Sequence, residues 1–236
     1  MSLHAIGSTA GARKALVSGI ARALLCGQDM SLNSHDKVIN FLSKRSLMTE
    51  KDSMLDQILD RAVSHHVPSH GWTRKSLQVA AEELSLSPAS CGAIRGPGAL
   101  VQYFNEQCND ELEKLLEKEE AEKAHDETQT SRHDKLLFGL TQRVTMLSPY
   151  RQLWASALAI QATPREAAYA VENVKRLSDC IVRYAGDSSL DLRWYTQRAI
   201  VGSVYSAAEV YSLTDRSEGL EDTIGFIDRN LRLLHI

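Results

Sequence analysis

Nothing in this 236-residue sequence approaches the run of about 18 apolar positions that a membrane-spanning helix needs, because Arg, Glu, Gln or Ser interrupts every apolar segment. Cysteine is scarce. Cys26, Cys91, Cys108 and Cys180 are widely spaced and form neither a CxxC pair nor a dense framework, which excludes a disulfide-stapled scaffold and a cysteine-rich metal fold. With 5 Pro and 13 Gly, the chain is no fibrous or low-complexity polymer, and no repeat of 20–50 residues recurs in it. HExxH, a glycine-rich phosphate loop and a GxSxG elbow are all missing. The sequence therefore offers no catalytic residue, no metal set and no cofactor site, and reads as a non-enzyme.

Positive charge is also in short supply where it would matter. The net charge is −3, but residues 1–50 carry six Lys or Arg against three acids, leaving a mildly acidic body with no excess field for a phosphate backbone. The first acid is Asp29, preceded by Arg13, Lys14 and Arg22 among Ala, Leu, Ser and Gly. That is transit-peptide composition, and a helix through 12–25 sets Leu16, Ile20 and Ala23 in one stripe. Residues 1–48 are thus expected to be a mitochondrial presequence or a disordered N-terminus.

From Thr49 onward apolar residues recur at helical spacing and strand-like alternation is rare, so the fold class is all-α. Leu55, Ile58, Leu59, Ala62 and Val63 make a first helix, expected to stop at the Pro68–Gly71 turn. Thr73 caps a second with Leu77, Ala80, Ala81 and Leu84 on one face, and Ser87-Pro88 opens a short third ending near Ile94. A long helix from about Ala99 turns Val101, Phe104, Cys108, Leu112, Leu115 and Leu116 inward and runs into a Glu/Lys-rich stretch near 117–127. Further helices carry Leu136 to Leu147, Tyr150 to Leu158 and Ala167 to Tyr184. The helix at about Leu190–Leu213, uncharged from Ala199 through Ala208, is expected to be buried on most sides. The last helix carries Leu220, Ile224, Ile227, Leu231 and Leu234. The domain reading is an all-helical body in which three short helices, within 49–98, precede five or six longer ones, within 99–236.

Other residue clusters have ordinary explanations. Glu122 and His125 match half of a di-iron carboxylate motif, but there is no second ExxH, and the surrounding charge marks a solvated helix. His65, His66 and His70 straddle a turn without a companion at ligand spacing. Cys108 reads as a packed small hydrophobe. The second and third helices, Thr73–Ile94, have helix-turn-helix proportions, but the segment from Ser87 to Gly98 contains a single basic residue, Arg95, and no Asn, Gln or Lys, so specific duplex binding is not expected.

Three stretches carry a resemblance. Val67-Pro68-Ser69-His70-Gly71-Trp72-Thr73, followed by Ala80-Ala81 and Leu86-Ser87, is the first; Phe104-Asn105-Glu106-Gln107-Cys108-Asn109 is the second. The third and most specific is the run from Tyr184 to Ala199, with Gly186-Asp187-Ser188 and Trp194-Tyr195-Thr196-Gln197-Arg198 inside it, continued by Leu220-Glu221-Asp222-Thr223 and Phe226. They resemble the lipid-binding accessory protein family of mitochondrial ubiquinone biosynthesis, over about residues 54–234. The resemblance implies a tetracycline-repressor-like helical fold, with 49–98 as a vestigial helix-turn-helix subdomain and 99–236 as a helical lipid-binding and dimerisation region, and no enzyme activity of its own. It also implies binding of isoprenoid quinone precursors or phospholipid, and their presentation to the demethoxyubiquinone hydroxylase. A homodimer with peripheral contact at the matrix side of the inner membrane, and no nucleic acid, completes that expectation. Members usually continue past the ninth helix into an amphipathic membrane-docking helix, whereas this sequence ends at Ile236.

Residue-level expectations follow for two sites. Leu140, Val144, Leu153, Trp154, Ile200, Val204 and Ala207 are the lipid-binding candidates, since small residues on the 190–213 helix, with Gly202 and Val210 among them, leave volume between helices; close packing at Gly202 and Ala207 is the competing reading. Asp191, Trp194 and Arg198 share one helix face with Tyr195 at its border, and are the partner-binding candidates, the alternative being a core Trp194 with Arg198 paired to Asp191. A ligand-responsive transcription regulator is the competing function.

Overall fold

A computed structural model describes residues 53–123, 130–186 and 192–233. The presequence reading of 1–48, His125, most of the Gly186–Ser189 turn, Asp191 and Leu234 lie outside the described residues. Among those described, every regular element is helical.

The first helix, α1, is described from residue 53 and stops at the Pro68–Gly71 turn as its sequence suggests, but it does not reach that turn as a regular α-helix. It widens into a π-helical turn at Ala62–His66 and ends in one α-turn at Val67–His70, where Gly71 takes φ +70°. The reason is local. The Val67 N–H reaches back to the Ala62 carbonyl, five residues away, and Pro68 has no N–H for the next carbonyl, that of Val63. The Tyr150 hydroxyl donates to that carbonyl instead, at 3.0 Å. Helix α2 spans Arg74–Glu83, and the expected third helix is a 3-10 segment, Pro88–Ala93, capped by Ser87. Then come α3 (Pro97–Lys123), α4 (Arg132–Thr145), a 3-10 turn at Ser148–Tyr150 and α5 (Arg151–Gln161). Helices α6 (Ala167–Tyr184), α7 (Leu192–Ser212) and α8 (Glu221–Leu233) complete the bundle.

Two hydrophobic cores are strung along α3, whose 27 residues are long enough to serve both. One gathers α1, α2 and the first turns of α3 with Leu147 and Trp154; its centre is an aromatic cluster of Trp72, Phe104, Tyr150 and Trp154 with ring centroids 4.9–5.7 Å apart. The other packs Leu112 and Leu116 of α3 against α4, α6, α7 and α8. The boundary expected at 98/99 falls inside a single compact unit beginning at Ser53, because the first core is built from both sides of it.

A buried polar seam lies where the cores meet. Arg143 of α4, 1% exposed, donates from Nη2 to Asn105 Oδ1 at 2.7 Å and from Nε to Asn109 Oδ1 at 3.3 Å, and its guanidinium lies 5.3 Å from the Tyr205 ring centroid. Glu209 of α7 accepts at Oε1 from Trp154 Nε1 at 3.0 Å and from the Tyr205 hydroxyl at 3.3 Å.

Candidate functional site

Helix α7 is not buried on most sides. Val201, Gly202, Val204, Tyr205 and Ala208 face inward, while Ala199, Ser203, Ser206 and Ala207 are exposed. The uncharged run records two different faces, one packed and one open. Gly202 is where α7 meets α6: a Cβ there would come 2.9 Å from Ser178 Oγ and 3.0 Å from Val174 Cγ1. That close approach uses the glycine for packing.

Beside this contact an open groove of about 1270 Å³ runs along α6 and α7 and reaches the end of α5. Its walls are Ala167, Ala170, Val171 and Val174 of α6, then Ala199, Ser203 and Ser206 of α7, with Leu158, Gln161 and Ala162 at the α5 end. Short side chains on both helices keep it wide, and only a helix spacing of i, i+3, i+4, i+7 on the second face of each helix marks it in the sequence. Trp194 lies near one end and Glu209 near the other, 15 residues apart on α7, or about 22 Å at 1.5 Å per residue. A second depression, about 680 Å³, is bordered by Asp56, Asp60, Glu106, Asp110 and Glu111, a set of charges that suits no apolar ligand.

None of the seven lipid-binding candidates borders the groove. Leu140, Val144 and Val204 belong to the second core and Ile200 packs partly against it. Trp154 is fully buried in the first core with Leu153 packed on it, and Ala207 is exposed. The sequence pattern correctly found the inward stripes; the groove lies on the neighbouring faces. Trp154 touches it indirectly, through Glu209. Burial pushes the Glu209 carboxyl above its usual range, opposed by the Arg143 charge and the two hydrogen bonds at Oε1.

The partner-binding candidates converge at the other end of the same groove. Arg198, expected to be exposed, is 7% exposed; it pairs with Asp179 of α6 at 2.7 Å and stacks 4.0 Å from the Trp194 ring centroid. Trp194 is half-buried by that stacking, and Tyr195, expected only at the border, is 67% exposed and meets Trp194 edge-on at 4.6 Å. Arg198 is thus a clamp holding an aromatic pair in place. The Asp179 pairing belongs to a ladder of charges: Asp110 and Glu113 of α3 pair with Arg176, and Arg183 bridges Glu113 and Asp179.

Arg95, the one basic residue between Ser87 and Gly98, is engaged internally. It pairs with Glu166 at 3.3 Å, donates to Gln102 and lies 4.1 Å from the Tyr169 ring centroid. Cys91 and Cys108 are buried thiols whose ordinary pKa is pushed up by burial, and His66 is buried against Glu83 at 3.2 Å.

Among the described residues, an all-helical body with a long groove bordered by small side chains defines a grooved helical bundle. Residues 167–235 match the COQ9 family model, a span that contains most of the groove. The chain is 36% identical over 178 residues to the Drosophila melanogaster ubiquinone biosynthesis protein COQ9, mitochondrial, a match covering 75% of this chain and 53% of that one. It is 30% identical over 184 residues to the protein of the same name from Homo sapiens, covering 77% and 58% respectively. The chain belongs to the COQ9 family. It spans a little over half the length of these relatives.

Proposed function

We propose that the chain is a lipid-binding accessory protein of ubiquinone biosynthesis in the mitochondrion. It holds an isoprenoid quinone precursor in the α6–α7 groove and presents it to the demethoxyubiquinone hydroxylase at the matrix side of the inner membrane. The observation that carries this reading is the groove itself: an elongated trough whose walls combine Ala, Val and Ser of α6 and α7 with charged residues such as Glu172, Lys175 and Arg176, opening beside an exposed aromatic pair. An extended apolar tail is the ligand such walls desolvate best, at about 25 cal/mol per Å² buried. Tyr195 and Trp194 have the composition of an interface hot spot, so ligand and partner meet on one surface. A homodimer and a peripheral membrane contact are part of the same proposal.

Regulation of transcription is the weaker reading, since the recognition position is a 3-10 segment and Arg95 is held by Glu166 and Tyr169. The test combines organic extraction with native mass spectrometry of the purified chain, before and after addition of an isoprenoid quinone. Wild type gains the mass of the quinone, and Ser203→Trp, which fills the groove from an exposed position, does not. Tyr195→Ala keeps its lipid and loses hydroxylase pull-down at least tenfold. Absence of lipid from wild type, with no shift on added quinone, rejects the reading.

A further inference from the structure

The closed end of the groove carries a group that an apolar tail does not need. Glu209 is 8% exposed and borders the groove. Its Oε1 is taken by Trp154 and Tyr205, and its Oε2 receives no hydrogen bond from the described residues. Oε2 keeps an opening toward the groove, so the hydroxyl of an occupant can reach it. The nearby groove walls, Leu158, Ala162 and Ala167, have no side-chain donor to give. The Arg143 guanidinium, bound to Asn105 and Asn109, supplies compensating positive charge from behind, so the missing partner is a neutral donor and not a second cation. Gln161 also borders the groove; its Oε1 accepts from Asn105 Nδ2 at 3.4 Å while its Nε2 has no acceptor. One end of a trough that Glu106, Glu172, Lys175, Arg176 and Asp179 also border thus offers an acceptor and a spare amide donor, about 22 Å along α7 from Trp194.

We propose that Glu209 selects the head group of the occupant: Oε2 accepts the O–H of a hydroxylated aromatic ring, a phenol or hydroquinone, whose tail runs along α6 and α7 toward Trp194. Gln161 turns its amide to a second ring oxygen. The proposal rests on the lipid reading of the groove and adds to it an orientation and a chemical selectivity. Glu209 is a specificity-determining residue, in line with its place against the groove and away from the exposed Trp194–Tyr195 end.

The test uses two probes with the same tail, a geranylated phenol and its methyl ether, titrated against the full chain and followed by tryptophan fluorescence and native mass spectrometry. Wild type is expected to bind the phenol at least tenfold more tightly than the ether, a comparison that needs no variant. Glu209→Gln keeps an acceptor for Trp154 and Tyr205 but presents an N–H₂ group to the groove. It is expected to lose or reverse the preference while its affinity for the ether is unchanged or improved. Equal binding of both probes to wild type overturns the head-group assignment and leaves the lipid reading standing. Binding of neither overturns both. A preference that survives intact in a folded Glu209→Gln variant removes Glu209 from the role.

Discussion

Arg143 and Glu209 are two charges in the interior, and neither touches the other in an ion pair. Each is held by neutral neighbours at part of its head group only, with Arg143 Nη1 and Glu209 Oε2 unpaired among the described residues, and the long-range attraction between them offsets part of the cost of burying both. Arg143→Met leaves Asn105 and Asn109 without their donor and Glu209 without its opposing charge, and is expected to lose about 3–5 kcal/mol at pH 7 in urea unfolding. The pH dependence has a definite sign. The folded Glu209 carboxyl already titrates above its unfolded value, so its ionisation penalises the native state as pH rises through that folded value. Removing Arg143 raises it further. The deficit of the variant against wild type therefore shrinks as pH falls from 7 toward 5, and a deficit that is constant or grows on acidification contradicts the assignment.

At the scale of the helix, α6 and α7 are fixed by Gly202 and propped apart beside it to leave the groove. Gly202→Ala gains about 1 kcal/mol of helix propensity but sets a methyl group against Ser178 and Val174, and overpacking of this kind costs about 1–3 kcal/mol. A small net loss is expected for Ala, and a loss of about 2–4 kcal/mol for Val, with quinone binding weakened as the walls shift; a thermal melt with a mass titration reads both. A stabilised Gly202→Val would show that the helices are not in close contact there. Most helix positions were legible from periodicity, and the inward set on α3 lies at or beside the core as expected, with Leu115 partly covered. Two helix types were not. The approach to the Pro68–Gly71 turn is π-helical, where a hydroxyl 82 residues from Pro68 in the chain replaces its missing donor, and the segment after Ser87 ends where expected but took up a 3-10 form. The groove escaped a reading based on large apolar residues because it is made where side chains are small. Arg198 was misjudged for a related reason: its spacing gives the face, but Asp179 on another helix decides its burial.

For the whole molecule, the turn that returns the chain from α7 to α8 is held by one carboxylate. Asp215 is 5% exposed. Its Oδ1 accepts from the Ser217 amide and hydroxyl, and its Oδ2 from the Thr223 amide at 2.9 Å and the Thr223 hydroxyl. Burial pushes this carboxyl up, but the four hydrogen bonds outweigh it and hold the pKa at about 2. A depressed carboxyl stabilises the fold above its unfolded value and loses that contribution as pH falls through the folded one, here between about pH 4 and pH 2. Asp215→Asn is expected to cost about 1–2 kcal/mol at pH 7, and the gap from wild type should close across that window when stability is followed by circular dichroism. An acid-independent gap would assign the stabilisation to shape and not to charge.

The widened turn in α1 ties the evolution of two distant positions together. Ile58 and Val67 are nine residues apart, a spacing that puts two side chains on opposite sides of a regular α-helix, yet both are fully buried. The extra residue in the π-helical turn takes up about 100° of that half-rotation and brings the two side chains to within about 80° of each other. In a homologue one residue shorter, the alignment gap belongs within 62–66, and the residues on both sides keep their inward phase. Any lineage that replaces Pro68 with a residue bearing an N–H restores a local donor to the Val63 carbonyl. Selection on the hydroxyl at position 150 then relaxes, and Phe becomes acceptable there, so these two sites should change in concert.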